Sequence, residues 1–448
     1  MHTERQPTYL GDILIKNYRG IKDLELSFEM EPGVTILLGD NGVGKTSILE
    51  AIATGLSGYL EGISGSSPRN ISKHDVRIHT EALGGASTAI QYVTPVEIYS
   101  RAIFNGEHFE WLRSREITEK GSSLSSSTKY STTPYSLRGY ARKLTNATHT
   151  MLPILCYLSV NRLSAPEQTT SKDVSELIEK AESKLHDRRT GYAGCLRSSI
   201  DKSMIKAWVL KMDMEQYFRE SIIPEYEAFK EIVCHTMMVM SDLPHTPKLF
   251  YSRQFRDIVY QENNNQPLPI SYLSAGYQSL LWIVMSIAYR IALLNPHFGI
   301  GMRETSGIVL IDELDMHLHP KWQWNVLQAL QETFPNIQFI IATHSPILIS
   351  SCENGHLIKI DDNHKITYVD SPYASAINNV VELVQESTSV PARVKKYKEQ
   401  FDCALNDEDY DTAQQILEKM RAELGPHNRE VQIATAELNM DYSVFKED

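Results

Sequence analysis

Residues 10–29 alternate between apolar and polar side chains. The apolar positions of this segment include Ile13, Ile15, Leu24, Leu26 and Phe28. A period of two is typical of β-strands with one buried face, so the segment predicts a two-stranded ribbon. Residues 94–111 alternate in a similar way and predict the strands of an antiparallel ribbon.

Four further stretches are almost continuously apolar instead of alternating: residues 34–38, 152–160, 307–311 and 338–342. Strands that are buried on both faces, as in a parallel sheet, have this composition. The pattern therefore predicts buried strands in an α/β fold.

Helical periodicity dominates two other regions. Residues 172–251 and residues 371–448 carry apolar side chains at spacings of three and four. We expect a compact helical arm in the first region and packed helical hairpins in the second. The apolar stretch 279–294 contains Trp282 and Arg290, which favours a buried core helix over a membrane span.

The first apolar run leads into the sequence GDNGVGKT at residues 39–46, and a helical stretch follows. Glycines let backbone N–H groups wrap a phosphate, and the helix directs its positive end at the same oxygens. The pattern predicts a nucleoside triphosphate site in which Lys45 reaches the β and γ oxygens as a catalytic residue and Thr46 binds Mg²⁺. The residues expected around the phosphates are Asn41, Gly42, Val43, Gly44, Lys45, Thr46 and Ser47.

The run 307–311 ends in Asp312 and Glu313, as the Walker B strand of such a site does. We expect Asp312 to hold Mg²⁺ and Glu313 to be the general base that polarises the attacking water. Asp312 and Glu313 could instead cap a helix, but the phosphate loop makes this reading the weaker one. His344 follows the run 338–342 and is the expected γ-phosphate sensor, the alternative being a purely structural histidine.

Residues 273–278, LSAGYQ, precede the core helix. Taken alone, this stretch is an ordinary helix start with Ser274 as N-cap. Placed between the phosphate loop and the Walker B strand, it resembles the signature motif of ABC-type ATPases. That resemblance implies that Ser274 and Gly276 contact the γ-phosphate of ATP held by a second subunit, so that ATP joins a dimer.

Bulk composition narrows the class of partner. The chain has 448 residues, 42% of them hydrophobic, and its 44 basic against 56 acidic residues give a net charge of −12. The net charge of the whole surface is therefore negative and does not attract the phosphate backbone of a nucleic acid. Five cysteines are scattered without a C-x-x-C pair, and the first residues contain no apolar signal core, so we expect a cytoplasmic protein without zinc or disulfides.

Two shorter motifs resemble the RecF, SMC and OLD branch of the superfamily: NYRG at residues 17–20 and DMHLHP at residues 315–320. The resemblance implies a nucleotide contact for Arg19 and places Asp315 in the D-loop at the dimer seam. From its position between the ribbon strands, we expect Tyr18 to stack on the adenine. His317 and His319 could chelate a metal, but two histidines beside a proline favour packing at the seam.

Longer phrases, including LSAGYQSLLW at 273–282 and GYAGCL at 191–196, are similar to the PtuA family of Septu antiphage ATPases and its retron-associated relatives. This resemblance implies dimers and larger oligomers that work beside a separately encoded HNH nuclease, PtuB-like and acting in trans. Nucleic acid would then be reached through the complex, and no membrane would be involved. No H-N-H constellation occurs in the sequence. The last 78 residues, from Ser371, are too short for the Toprim domain of an OLD nuclease and lack its strand-bound Glu and Asp-x-Asp cluster.

We therefore predict an α/β ABC-type, RecF/SMC-like P-loop ATPase head that carries an inserted helical arm and a C-terminal helical tail. The predicted segments are an ATPase lobe with a Ser-rich insertion (1–170), the helical arm (171–250), a second ATPase lobe (251–370) and a partner-docking tail (371–448). The predicted function is Mg²⁺-dependent ATP hydrolysis in an antiphage defence complex, without nuclease activity of its own. The alternative is a RecF-like DNA repair ATPase that binds DNA directly.

Overall fold

A computed structural model describes residues 7–82, 88–116, 127–130, 136–147, 149–160, 187–197, 200–263, 265–375, 377, 380, 392–407, 409–426 and 428–444. The chain divides into two compact units, residues 1–375 and residues 376–448. The Ser-rich run 121–126 and the first part of the predicted arm, 171–186, lie outside the described residues. The four predicted segments stay a prediction.

The strands of the described residues are β1 (Tyr9–Tyr18), β2 (Ile21–Ser27), β3 (Gly33–Leu38), β4 (Arg77–Ala82), β5 (Thr88–Val93), β6 (Val96–Phe104), β7 (Glu107–Arg115), β8 (Ser127–Tyr130), β9 (Ile154–Leu158), β10 (Lys248–Ser252), β11 (Asp257–Gln261), β12 (Leu268–Pro269), β13 (Gly307–Asp312), β14 (Ile337–Ala342), β15 (His356–Ile360) and β16 (Ile366–Val369).

The α-helices are α1 (Lys45–Leu60), α2 (Leu137–Asn146), α3 (Lys202–Arg219), α4 (Pro224–Ser241), α5 (Ala275–Leu294), α6 (Pro320–Thr333), α7 (Pro346–Ser350), α8 (Ala392–Asn406), α9 (Tyr410–Leu424) and α10 (Arg429–Val444). Short 3₁₀ turns cover Lys73–Asp75, Arg188–Tyr192, Ile270–Tyr272 and Pro296–Glu304.

A six-stranded sheet in the order β16-β15-β3-β14-β13-β9 forms the centre of the first unit. The strands from β15 to β9 are parallel, and only β16 is antiparallel to its neighbour. All residues of β9, β13 and β14 are buried, which explains their nearly continuous apolar composition. The predicted buried strands are therefore confirmed, and their carboxyl ends meet at one edge of the sheet.

A second, antiparallel sheet has the order β2-β1-β6-β7-β8. Both ribbons predicted from alternation are confirmed, because β1 pairs with β2 and β6 pairs with β7. Helix α1 packs against strands of this sheet and of the central sheet. Trp111 donates its indole N–H to the carbonyl of Gly55 at 2.8 Å, and a Cβ on Gly58 would lie 2.6 Å from the same ring, so a small residue is required there.

Helix α5 lies in the core, as the sequence predicts. Among the described residues it is the one helix long and apolar enough to cross a membrane, and 89% of its most apolar window is buried inside the protein. Arg290 on this helix is buried and donates to the carbonyl oxygens of Gly191 at 2.9 Å and Ala193 at 3.1 Å. These bonds partner an outer nitrogen of the guanidinium, whereas its buried Nε has no hydrogen-bond partner among the described residues.

The second unit contains α8, α9 and α10. The predicted helical hairpins are confirmed, because these helices share a core that includes Phe401, Leu417 and Leu438. Asp409 caps α9 by accepting from the backbone N–H of Thr412 at 3.1 Å. At the other end of α9 the chain turns at Gly425, whose φ of 88° favours glycine.

Candidate nucleotide site

The phosphate loop joins the carboxyl end of β3 to the start of α1. Gly42 and Gly44 have φ of 97° and 95°, a conformation that favours glycine over residues with a Cβ atom. Gly44 is the N-cap of α1 and supplies no side-chain cap. The first N–H groups of a helix have no partner within the helix, so this loop presents amide donors suited to phosphate oxygens.

The side chain of Lys45 is buried and points back towards the start of this loop. Its Nζ donates to the carbonyl oxygens of Gly39 at 2.8 Å and Asp40 at 3.0 Å. Burial lowers the pKa of the ammonium, although Glu313, Asp312 and Asp40 act in the opposite direction. An ammonium at this loop can form charge-assisted hydrogen bonds to the oxygens of a polyanionic ligand.

Thr46 and Asp312 meet although they are far apart in the sequence. The Thr46 hydroxyl donates to Oδ2 of Asp312 at 2.8 Å, and Asp312 is fully buried at the end of β13. A hydroxyl and a carboxylate are the hard oxygen ligands that Mg²⁺ prefers. The donor set therefore fits the predicted cation, which would also coordinate phosphate oxygens.

Glu313 and His344 follow the neighbouring strands β13 and β14. Oε1 of Glu313 lies 3.7 Å from Nε2 of His344, and both side chains are about three-tenths exposed. Glu313 has a φ of 48°, an uncommon conformation for a residue other than glycine. Burial and the charge of Lys45 lower the pKa of His344, which favours a neutral imidazole at pH 7.

The loop after Glu313 is held by its own contacts. Asp315 accepts a hydrogen bond from the Thr343 hydroxyl. His319 caps α6, because its Nδ1 accepts from the backbone N–H of Lys321 at 3.2 Å. Among the described residues no group of three or more potential metal ligands of the His, Cys, Asp or Glu type comes together. The contact that the structure shows for His319 is therefore the cap of α6.

The signature residues begin α5. The Ser274 hydroxyl accepts from the backbone N–H of Tyr277 at 3.5 Å, and Ser274 and Ala275 are exposed. Gly276 is buried, and a Cβ placed on it would lie 2.5 Å from the carbonyl oxygen of His317. The first turn of this helix therefore packs directly on the loop that follows Walker B.

Tyr277, in the first turn of α5, has structural contacts with two neighbouring side chains. Its hydroxyl donates to Oε1 of Glu262 at 2.7 Å, and its ring meets that of Trp322 edge to face at 4.3 Å. The side chain anchors the start of α5 instead of extending into solvent.

Arg19 and Tyr18 lie at the end of β1. Arg19 forms ion pairs with Glu50 and with Asp75, the latter at 2.9 Å, and its nucleotide contact stays a prediction. Tyr18 is fully buried, and its hydroxyl donates to Oδ1 of Asp75 at 3.2 Å. The expectation that Tyr18 stacks on the adenine is therefore wrong, because its ring is enclosed by the core.

Comparison with known proteins shows which family the chain belongs to. The AAA ATPase domain family matches residues 9–349 of the chain. The chain belongs to this family. The matched range includes the phosphate loop, the signature residues, Glu313 and His344, and the predicted fold class, an ABC-type RecF/SMC-like ATPase head, is confirmed.

Two retron ATPases and one Septu protein are among the relatives of this chain. The probable ATPase of retron Ec83 from Escherichia coli is 26% identical over 414 residues, covering 80% of this chain and 72% of the relative. The probable ATPase of retron Vc95 from Vibrio cholerae serotype O1 biovar El Tor is 24% identical over 446 residues, covering 87% and 82%. Septu protein PtuA from Bacillus mycoides is 23% identical over 365 residues, covering 80% of this chain but 41% of that PtuA. The predicted kinship with PtuA and the retron ATPases is confirmed.

The structure of this ATPase also adds a residue that the sequence did not single out. His364 lies in the turn between β15 and β16, and its Nε2 is 3.7 Å from the place where a Cβ on Gly44 would be. No local signal marks it, since its neighbours are the ordinary polar residues of a turn. Its position depends on β15 pairing with β3, which brings the turn to the phosphate loop.

Proposed function

We propose that this ATPase is the nucleotide-hydrolysing subunit of a cytoplasmic bacterial antiphage defence complex and controls a separately encoded HNH nuclease. The observation that carries the proposal is the hydrogen bond between Thr46 and Asp312, which brings the phosphate loop and the end of the Walker B strand together at one Mg²⁺–ATP site. This site lies in a relative of retron and Septu ATPases. The sequence itself contains no H-N-H constellation, which supports a nuclease acting in trans.

Within the proposed site, backbone amides of the loop and Lys45 bind the β- and γ-phosphates. Thr46 and Asp312 would hold Mg²⁺, which would neutralise charge on the phosphate oxygens. Glu313 orients a water molecule in line with the γ-phosphate and accepts its proton. A neutral His344 donates a hydrogen bond to the γ-phosphate from the other side.

Ser274 and Gly276 of a second copy complete this site in the proposal. The exposed Ser274 hydroxyl and the amides at the start of α5 form a second helix N-terminus suited to phosphate. ATP would then hold two chains together, as the glue of a dimer that can enter a larger oligomer.

The C-terminal unit is proposed to dock the nuclease. Its helices form a core of their own, and residues 391–448 carry 13 acidic against 8 basic side chains. An acidic helical surface is a poor clamp for DNA but is suited to a basic protein surface. Removing residues 376–448 cuts between the two compact units, so we expect ATP binding to persist and co-purification with the nuclease to disappear.

The test uses the full chain co-expressed with an HNH protein encoded beside it. We expect the two proteins to co-purify, and DNA or RNA cleavage by the complex to change when Glu313→Gln traps ATP or Lys45→Ala prevents its binding. Cleavage that is the same with the wild type and with both variants would contradict control by nucleotide. Tight DNA binding by the ATPase alone, with no co-purifying nuclease, would favour the RecF-like alternative instead.

A further inference from the structure

The turn between β15 and β16, residues 361–365, packs against the phosphate loop. Strand β15 pairs in parallel with β3, and the carbonyl oxygen of Ile360 would lie 2.4 Å from a Cβ on Gly39. Nε2 of His364 lies 3.7 Å from the corresponding point on Gly44, the N-cap residue of α1. The imidazole thus faces the space beside Gly44 that the Cβ atom of a larger residue would enter.

Hydrogen bonds within the turn fix the backbone that carries this imidazole. Oδ1 of Asp361 accepts from the backbone N–H groups of Asn363 at 2.9 Å and Lys365 at 2.8 Å. The N–H of His364 donates to the carbonyl oxygen of Asp361 at 2.9 Å. His364 has a φ of 60° and is half-buried, whereas the other four residues of the turn are exposed. The ring is therefore turned towards the protein and not into solvent.

Sheet order shows which end of a nucleotide this imidazole would meet. Strands β13 and β14 lie on one side of β3 and end at Glu313 and His344, the groups placed at the γ-phosphate. Strands β15 and β16 lie on the other side of β3. A triphosphate whose β-phosphate sits in the loop and whose γ-phosphate points to β13 has its nucleoside directed away from that strand, towards His364.

We propose that His364 contacts the nucleoside half of ATP. This contact rests on the proposed function, because it requires ATP in the phosphate loop. An imidazole offers a flat π face to a purine and an N–H donor to a ribose hydroxyl. It provides the nucleoside contact that the sequence suggested for Tyr18, whose ring is enclosed by the core.

The proposal is tested on the full chain by calorimetric titration with Mg²⁺–ATP and, separately, with inorganic tripolyphosphate and Mg²⁺. His364→Asn and His364→Gly both remove the ring with residues that tolerate the positive φ of this turn. The matched control is His356→Asn, since His356 lies at the opposite end of β15 and 44% of its side chain is exposed. We expect both His364 variants to bind ATP about 5- to 20-fold more weakly, which is the usual worth of one such contact.

The affinity for tripolyphosphate should stay within about twofold of wild type in both variants, and His356→Asn should change neither ligand. Equal losses for ATP and tripolyphosphate would overturn the nucleoside contact, as would unchanged binding of both. Failure of the wild type to bind ATP, or ATP binding that survives Lys45→Ala, would overturn the proposed function together with this contact. A loss confined to the His364 variants leaves that function in place and supports the proposal.

Discussion

The phosphate loop and the signature turn both lie at helix N-termini, yet the two differ in side-chain capping and in exposure. At the start of α1, Gly44 leaves the amides without a side-chain cap. Lys45 and Asp312 are buried beside this end of the helix. At the start of α5, Ser274 caps its own helix, and Tyr272 just before it is 77% exposed. The first end is complete inside one chain, whereas the second presents its donors outwards.

This difference has a physical basis in burial. At the phosphate loop the charged groups of Lys45 and Asp312 are buried, and we call this the enclosed half of the site. Asn41, Gly42 and Thr46 on the loop are exposed. Buried charges interact strongly with a bound polyanion, because little water competes for them. The same groups on an exposed surface are screened until another molecule covers them. The phosphate-loop half is therefore expected to bind nucleotide alone, whereas the signature half is expected to act only after a second chain has excluded water.

The largest effect should come from breaking the enclosed half. Replacing Glu313 by Gln keeps the shape of the side chain but removes its basicity, so ATP hydrolysis should fall by about 10² to 10⁴-fold. ATP binding should persist, and ATP-bound dimers should accumulate. Phosphate release and gel filtration with ATP measure the two consequences.

The control for this variant is Glu332→Gln, which removes the same charge from an exposed position on α6. It should hydrolyse ATP like the wild type. Phosphate release by Glu313→Gln that matches this control would show that Glu313 is not the base.

The open half is tested by mixing two inactive chains. Lys45→Ala removes the phosphate-loop lysine, Ser274→Arg blocks the signature turn, and each variant alone should be inactive. A mixed dimer has one site that combines an intact loop with an intact signature. Random mixing makes half of the dimers mixed, so activity should return to about a quarter of the wild-type value if the two sites act independently. Activity no greater than the sum of the separate variants, in a sample where mixed dimers are demonstrated, would place the signature in cis.

The same comparison shows what the sequence could and could not predict. The enclosed half was predictable, because its residues follow buried strands that pair in parallel, and parallel strands bring their carboxyl ends to one edge. Thr46 and Asp312 meet for this reason. The burial of Tyr18, which was expected to stack on the adenine, was not predictable. Asn17 and Arg19 on either side of it adopt φ of 55° and 51°, and the alternation pattern does not reveal this bend.

A smaller effect should come from the contact that joins the signature to the Walker B loop. Gly276→Ala would place a methyl group 2.5 Å from the carbonyl oxygen of His317, so one of the two elements must shift. Overpacking of this kind typically lowers the free energy of unfolding by about 1 to 3 kcal/mol. Gly301→Ala is the control, because nothing lies within 4 Å of its added Cβ. Chemical denaturation measures both variants, and equal stabilities would mean that this contact is easily relaxed.

The smallest effect is expected from the protonation of His344. Its pKa is lowered in the folded protein by burial first and by Lys45 second, whereas an exposed histidine in the unfolded chain titrates near about 6.5. As the pH falls through this value, the unfolded chain binds a proton before the folded chain does, so the free energy of unfolding decreases. His344→Gln should therefore lose less stability than the wild type between about pH 7.5 and pH 5.5. The pKa of His235 is also lowered, by burial above all, so part of the decrease should remain in the variant. Urea denaturation at the two pH values measures the difference, and parallel losses in wild type and variant would mean that His344 keeps its ordinary pKa in the folded protein.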